Sequence, residues 1–251
     1  MIGMTDEKEE LRAKQRELAN EFASRGDATG WFEELYKRAA GDNERVSWAD
    51  LKPNRFLQTW AERTGLKGDG RKALVVGCGL GDDAVYLDDL GFDVTAFDIS
   101  PTAIEWARRL HAGRDIKFEA MDLFDAPAEW KNPVATAPGS DKSLPATAGG
   151  TDNGGGFDFV LEVYTIQPLP REIRPKVIDA IAAFPKAGGE LVVVTRGRED
   201  DEETDQLPWP LSRADLKRFE ENGLIQEHFE IQDGDEEDPM QRFVVVYRRE
   251  G

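Results

Sequence analysis

A turn built from glycines is the part of the sequence best suited to holding a ligand. Residues 77–82 read Gly-Cys-Gly-Leu-Gly-Asp and directly follow the short apolar run 73–76. Glycine lets the backbone of such a turn approach a bound molecule closely. A dinucleotide turn would need glycine at position 82, where the carboxylate of Asp82 instead repels a pyrophosphate. The pattern therefore favours a ligand without phosphate that carries positive charge at this end.

Two further acids stand where later strands of the predicted sheet end. Asp98 closes the strand after the glycine turn, and Asp122 follows the next strand. A carboxylate at the first position can accept both ribose hydroxyls of an adenosine. Asp122 can accept from the adenine amino group, while Leu123 lines the ring. Since parallel strands end at a common edge, the glycine turn and both acids are expected to lie together there.

The elements that must position these residues alternate between strand and helix. Apolar runs separated by amphipathic segments predict a parallel sheet with helices on both faces. The predicted strands are 73–76, 92–97, 116–120, 157–163, 190–195, 224–232 and 241–249. The main predicted helices are 5–25, 83–90, 100–110, 171–184 and one that begins at Ser212 with a capping box.

Two regions fall outside this alternation. Residues 1–65 are predicted to form an N-terminal helical lid or cap, and residues 66–251 to form the main domain. Residues 131–156 are rich in glycine, proline, serine and threonine and contain no aromatic residue. A stretch of this composition buries too little apolar surface to order itself, so we predict a flexible insertion.

These features together resemble the class I S-adenosylmethionine-dependent methyltransferases, over residues 48–249. The resemblance is greatest to the small-molecule branch related to thiopurine and thiol or halide methyltransferases. It implies an α/β, Rossmann-like, seven-stranded and mostly parallel sheet with helices on both faces and an antiparallel last strand. The stretches that carry it are 47–54 (Ser-Trp-Ala-Asp-Leu-Lys-Pro-Asn), 73–100, 162–167 (Glu-Val-Tyr-Thr-Ile-Gln) and 208–211 (Pro-Trp-Pro-Leu).

The resemblance also implies a role for each candidate residue. The glycine turn would lie against the methionine part of the cofactor, S-adenosyl-L-methionine, and Trp48 would cover the cofactor from the lid. Asp98 would take the ribose, and Asp122 with Leu123 the adenine. The implied cofactor-binding set is Trp48, Gly77, Cys78, Gly79, Gly81, Asp98, Ile99, Asp122, Leu123 and Glu162.

Glu162 and Tyr164 are the candidate catalytic residues, because they follow the fourth strand where family members often place groups that face cofactor and substrate. Glu162 is predicted to contact the cofactor's amino group or to act as a base; an equally weighted alternative is a purely structural carboxylate. Tyr164 is predicted to orient the substrate or, alternatively, to pack. A thiol, halide or similar soft nucleophile needs no strong base, which suits a small-molecule acceptor.

Composition narrows the functional class further. The 251 residues carry 50 acidic and 32 basic side chains, a net charge of −18, which disfavours nucleic acid as a partner. One cysteine and two histidines make a metal centre improbable and fit a reducing compartment. No apolar run approaches a membrane span. We therefore predict a cytoplasmic monomer that has a small-molecule substrate and binds no metal, membrane or nucleic acid.

Two other functional classes remain open from the sequence. An NAD(P)-binding reductase is disfavoured by Asp82 and by Pro168, which stands where a Tyr-x-x-x-Lys pair starting at Tyr164 would need lysine. A non-catalytic S-adenosylmethionine-binding protein is excluded less firmly, because methyltransferases use few catalytic residues. Cys78, inside the glycine turn, is interpreted as a small filler.

Overall fold

The computed structural model describes residues 3–132, 155–202, 207–234 and 238–251. Most of the predicted insertion 131–156 lies outside these ranges. The helices are α1 (Gly3–Ser24), α2 (Gly30–Ala39), α3 (Arg55–Thr64), α4 (Asp82–Asp89), α5 (Pro101–Leu110), α6 (Arg174–Ala182), α7 (Arg213–Leu216) and α8 (Arg218–Glu221). The strands are β1 (Lys72–Val76), β2 (Asp93–Asp98), β3 (Lys117–Ala120), β4 (Phe157–Val163), β5 (Pro185–Arg196), β6 (Leu224–Gln232) and β7 (Arg242–Arg249).

Within the described ranges the strands form one seven-stranded sheet in the order β3-β2-β1-β4-β5-β7-β6. The pairs from β3 through β5 are all parallel, whereas β7 runs antiparallel to both β5 and β6. Val75 of the central strand lies opposite Ala96 of β2 and Leu161 of β4. The predicted mostly parallel sheet with an antiparallel last strand is confirmed.

Each face of the sheet is covered by helices, as predicted, because the strands are apolar on both faces. One core cluster joins the sheet to α6, α7 and α8 through Val177, Ile181, Leu216 and Phe219. A second, on the opposite face, joins it to α3, α4 and α5 through Leu57, Leu87 and Ile104. The carboxyl ends of the parallel strands are therefore held between two packed layers.

A third core cluster attaches α1, α2 and residues 46–49 of the N-terminal segment (residues 1–65) to the glycine turn and α5. Trp31, Leu35 and Tyr36 of α2 pack with Leu80 of the glycine turn and Trp106 of α5. Trp31 is only 2% exposed and stacks on Phe32, so this tryptophan is a packing residue. The cluster places α2 beside the glycine turn.

Two predicted helices differ from the observed ones. The helix predicted over 171–184 is shorter, Arg174–Ala182, because the chain already enters β5 at Pro185, where it pairs with Phe157. The glycine pair Gly188-Gly189, which the sequence predicts to end the helix before a strand at 190, consequently lies within β5. The helix predicted after Ser212 is two short helices separated by Lys217. Its predicted capping box between Ser212 and Asp215 is confirmed.

Candidate active site

All three glycines of the turn adopt positive φ, of 61°, 53° and 88° for Gly77, Gly79 and Gly81. A Cβ at Gly77 would lie 2.5 Å from the side chain of Thr165, and one at Gly79 would lie 3.0 Å from the hydroxyl of Tyr36. At Gly81 a Cβ would lie 2.7 Å from the ring of Phe118. Both the backbone conformation and the neighbouring side chains therefore require glycine at these positions. The turn of bare backbone formed by residues 77–81 is called the cradle.

Asp98 ends β2 directly against this cradle. One carboxyl oxygen accepts the backbone N–H of Gly79 at 2.9 Å and the other accepts that of Ser100 at 2.9 Å. The residue is 8% exposed, and burial raises the pKa of its carboxyl while the two backbone donors lower it. Asp98 thus fixes the glycine turn to the start of α5, with Ile99 half-buried between them.

Asp122 stands at the end of the neighbouring strand, at the same edge of the sheet. It caps a short 3-10 helix, Leu123–Asp125, by accepting the backbone N–H of Phe124 at 2.9 Å. Met121 donates its N–H to the carbonyl of Asp98 at 2.9 Å, so the two strand ends are joined. Leu123 is half-buried and packs on the first core cluster.

Tyr36 and Trp48 bring the N-terminal segment to the glycine turn. The indole Nε1 of Trp48 donates to the hydroxyl of Tyr36 at 3.0 Å, and the two rings meet edge to face. Tyr36 is 2% exposed, whereas Trp48 is 42% exposed and forms the outer surface of the contact. The predicted cover residue, Trp48, therefore reaches the cradle through Tyr36.

Glu162 lies near the end of β4, next to Val76 of β1. Its Oε1 accepts the backbone N–H groups of Thr165 at 2.6 Å and Ile166 at 3.0 Å. Its Oε2 is buried and has no hydrogen-bond partner in the described part of the chain. Burial raises the pKa of this carboxyl to about 7. A buried acceptor without a donor is costly, which makes this oxygen a strong candidate for a ligand contact.

Tyr164 follows β4 with a φ of 59°, a strained conformation for a residue with a side chain. Its hydroxyl accepts from Nε of Arg242 at 2.7 Å, and the guanidinium lies over the rings of Tyr164 and Phe56. Arg242 is in turn paired with Asp238. Tyr164 is thus held on the face of the sheet that carries α3.

The first turn of α4 adds two acids beside the cradle. Asp83 accepts the backbone N–H of Asn54 at 2.7 Å, which fixes the start of α3. Burial raises the pKa of Asp83 to about 7 and also raises that of Asp82. Cys78 is half-buried, and burial raises the pKa of its thiol well above the usual range, in keeping with a filler.

The structure brings most of the predicted cofactor residues to one edge of the sheet, but it separates the two candidate catalytic residues. Alternation along β4 places Glu162 on the face of Val160, which belongs to the first core cluster. Tyr164 lies past the end of β4, where its φ of 59° interrupts the alternation, and it packs on the second cluster. Their hydrogen bonds share no partner. Sequence reasoning missed Tyr36, because an aromatic residue at helical spacing is typical of a packing residue, and missed Thr165, whose spacing from Glu162 was the available signal.

The residues present fit an S-adenosylmethionine cofactor. The cradle presents backbone without Cβ atoms beside Asp98, and Glu162 offers a buried oxygen that lacks a donor. Among the described residues there is no group of three or more His, Cys, Asp or Glu side chains that could hold a metal ion. No helix in those ranges has the length and apolar content needed to cross a bilayer.

Comparison with solved structures finds the same fold in several methyltransferases. The 1,6-didemethyltoxoflavin N1-methyltransferase of Burkholderia thailandensis, solved with S-adenosylhomocysteine, has a TM-score of 0.60 and 14% identity, over 93% of this chain and 91% of that one. The N-methyltransferase NodS of Bradyrhizobium japonicum WM9, also solved with S-adenosylhomocysteine, has a TM-score of 0.59 and 18% identity, over 87% of this chain and 98% of that one. TehB of Haemophilus influenzae has a TM-score of 0.55 and 16% identity, over 87% of this chain and 67% of that one.

Comparison by sequence adds the family. A search of curated proteins finds no match. A family model described as a methyltransferase domain matches residues 33–232, which include the glycine turn, Asp98, Asp122 and most of the sheet. Given this match and the strand order of the sheet, the chain belongs to the S-adenosylmethionine-dependent methyltransferases, and its cofactor is S-adenosyl-L-methionine.

Proposed function

We propose that the enzyme transfers the methyl group of S-adenosylmethionine to a small-molecule nucleophile, such as a thiol or a halide. The observation that carries this proposal is the packing of the N-terminal segment against the glycine turn, with Tyr36 over Gly79 and Trp48 outside it. A cover of this kind, which we propose acts as a lid, leaves little access for a macromolecular acceptor. The net charge of −18 also argues against nucleic acid.

In this proposal each candidate residue has a defined contact with the cofactor. Asp98 accepts from the ribose hydroxyls, and Asp122 with Leu123 binds the adenine. The methionine part lies along Gly77 and Gly79, where Glu162 Oε2 receives its ammonium group. Glu162, a buried acid whose pKa is raised and whose Oε2 lacks a partner, would then gain one when the cation binds.

The acceptor class follows from what the neighbouring side chains are free to do. When bound, the cofactor supplies an electrophilic methyl group, and the protein has to place a nucleophile in line with it. Both candidate catalytic residues already have hydrogen-bond partners. Two backbone N–H groups donate to Oε1 of Glu162, and Arg242 donates to the hydroxyl of Tyr164. An acceptor that is already a good nucleophile, such as a thiolate or halide, needs no base. The small molecule named for the toxoflavin enzyme agrees with this size class.

A product assay with a mixed panel of acceptors tests the proposal. Thiols, halides, metalloids and phenols are incubated with the enzyme and S-adenosylmethionine, and S-adenosylhomocysteine is measured. We expect turnover with a thiol or halide, and slower turnover with the Asp98→Ala variant when S-adenosylmethionine is limiting. Cofactor binding by calorimetry without turnover of any acceptor would support the non-catalytic alternative. Binding of NADH in place of S-adenosylmethionine would contradict the cofactor itself.

A further inference from the structure

The hydroxyl of Tyr36 has a proton for which the described part of the chain offers no acceptor. An indole N–H can only donate, so the phenol oxygen is the acceptor in its 3.0 Å contact with Trp48. In the described ranges the structure gives this hydroxyl no acceptor for its own hydrogen. Tyr36 is only 2% exposed. Its hydroxyl oxygen lies 3.0 Å from the point where a Cβ added to Gly79 would stand. A buried donor therefore faces the cradle without a partner.

Helix α2 is fixed in place beside Asp98, so this donor is held in position. Glu33, three residues before Tyr36 and hence on the same side of the helix, accepts from the hydroxyl of Ser100 at 2.6 Å. It also accepts from the backbone N–H of Thr102 at 3.1 Å and from the hydroxyl of Thr102 at 2.8 Å. Ser100 in turn donates its backbone N–H to Asp98. The hydrogen bonds from Glu33 through Ser100 to Asp98 thus set the distance between α2 and the end of β2.

The two unused groups at the cradle are complementary to an amino acid. Glu162 presents an oxygen without a donor, and Thr165, beside it, donates its hydroxyl to the carbonyl of Val76, next to Gly77. Tyr36 presents a donor without an acceptor at Gly79. The methionine part of the cofactor carries one ammonium and one carboxylate. Burial and the nearby Asp98 raise the pKa of the phenol, so that it stays protonated and able to donate.

We propose that Tyr36 is a cofactor-binding residue that donates its hydrogen bond to the carboxylate of the methionine part, with Trp48 fixing the orientation of the phenol. The inference rests on the proposed placement of the cofactor in the cradle. It also gives the N-terminal segment a direct role in binding, since Tyr36 belongs to α2 and reaches the cofactor only while Glu33 holds that helix on α5.

The test compares two ligands that differ only in the carboxylate. S-adenosylmethionine and decarboxylated S-adenosylmethionine share the sulfonium, ammonium, ribose and adenine. Calorimetry with Tyr36→Phe should show about tenfold weaker binding of S-adenosylmethionine, the usual effect of losing a hydrogen bond to a charged group. Binding of the decarboxylated ligand should change less than about twofold. Trp48→Phe should weaken binding in the same selective way.

Tyr247→Phe is the matched control, because this buried tyrosine donates to the carbonyl of Leu216, away from the cradle. It should bind both ligands as the wild type does. Equal losses for both ligands in Tyr36→Phe, or no loss for either, would overturn the role assigned to the hydroxyl. Failure of the wild type to bind S-adenosylmethionine would instead contradict the proposed function, so the two failures are distinguishable.

Discussion

The ligand-free Glu162→Gln protein is expected to be more stable than the wild type at pH 8, by about 3 kcal/mol. In the folded protein burial raises the pKa of Glu162 to about 7, from its usual value of 4.5. The unfolded chain therefore ionises first as the pH rises. Stability from the neutral carboxyl is complete below pH 4.5 and is lost as the pH rises through 7. Glutamine stays neutral and keeps an oxygen for the N–H groups of Thr165 and Ile166.

Denaturant unfolding at pH 5 and pH 8 measures this effect. The free energies of unfolding of the two proteins should differ little at pH 5, diverge between pH 5 and pH 7, and differ by the full amount at pH 8. Glu105→Gln, a change at an exposed position of α5, serves as the control and should leave the pH dependence as it is. The same glutamine should weaken the binding of S-adenosylmethionine, because the ammonium group loses its carboxylate. A Glu162→Gln variant that is less stable at pH 8, or that binds the cofactor as well as the wild type, would contradict our assignment.

Asp98→Ala is expected to have the largest effect on cofactor affinity, a loss of about 1–3 kcal/mol from hydrogen bonds to a charged group. The alanine removes the acceptor proposed for the ribose and also releases the backbone N–H groups of Gly79 and Ser100. The glycine turn then loses its attachment to the end of β2. Binding of S-adenosylmethionine is measured by calorimetry on protein whose circular dichroism matches that of the wild type.

Asp179→Ala provides the comparison for this variant. Asp179 also loses two partners on substitution, Arg218 and Asn222, but it lies on α6 and not at the cradle. Its replacement should lower stability and leave cofactor affinity unchanged. If Asp98→Ala kept the affinity of the wild type, the ribose would have to be bound elsewhere, and the assignment of the strand end would be wrong.

The sheet was predictable because its signals are local. The apolar run before Gly77, the capping serine at Ser100 and the acid at Asp98 each define a strand or helix end from a few neighbouring residues. The start of β5 was not predictable in this way. The pairing of Pro185 with Phe157 joins distant parts of the sequence, and it overrides the glycine pair that suggested a later start.

The composition of the site was predictable only in part, for a similar reason. The type of residue at Gly79 and Asp98 already indicates contact with a ligand. In contrast, only the folded structure shows that, among the described residues, the hydroxyl hydrogen of Tyr36 lacks an acceptor and Oε2 of Glu162 lacks a donor. The sequence presents the first as one more aromatic residue on a helix and the second as one of 50 acids. Only the hydrogen-bond pattern separates them from the rest.

The position of β7 has a consequence for the order in which the sheet can assemble during synthesis. β7 lies between β5 and β6, although β6 precedes it in the chain. During vectorial synthesis on the ribosome, β6 therefore emerges before the strand that it pairs with, and the hydrogen-bonding edge of β5 stays open meanwhile. Residues 242–249 pair with β6 and with the open edge of β5, so a nascent chain completes its sheet in one step and exposes β6 and that edge of β5 to chaperones until then.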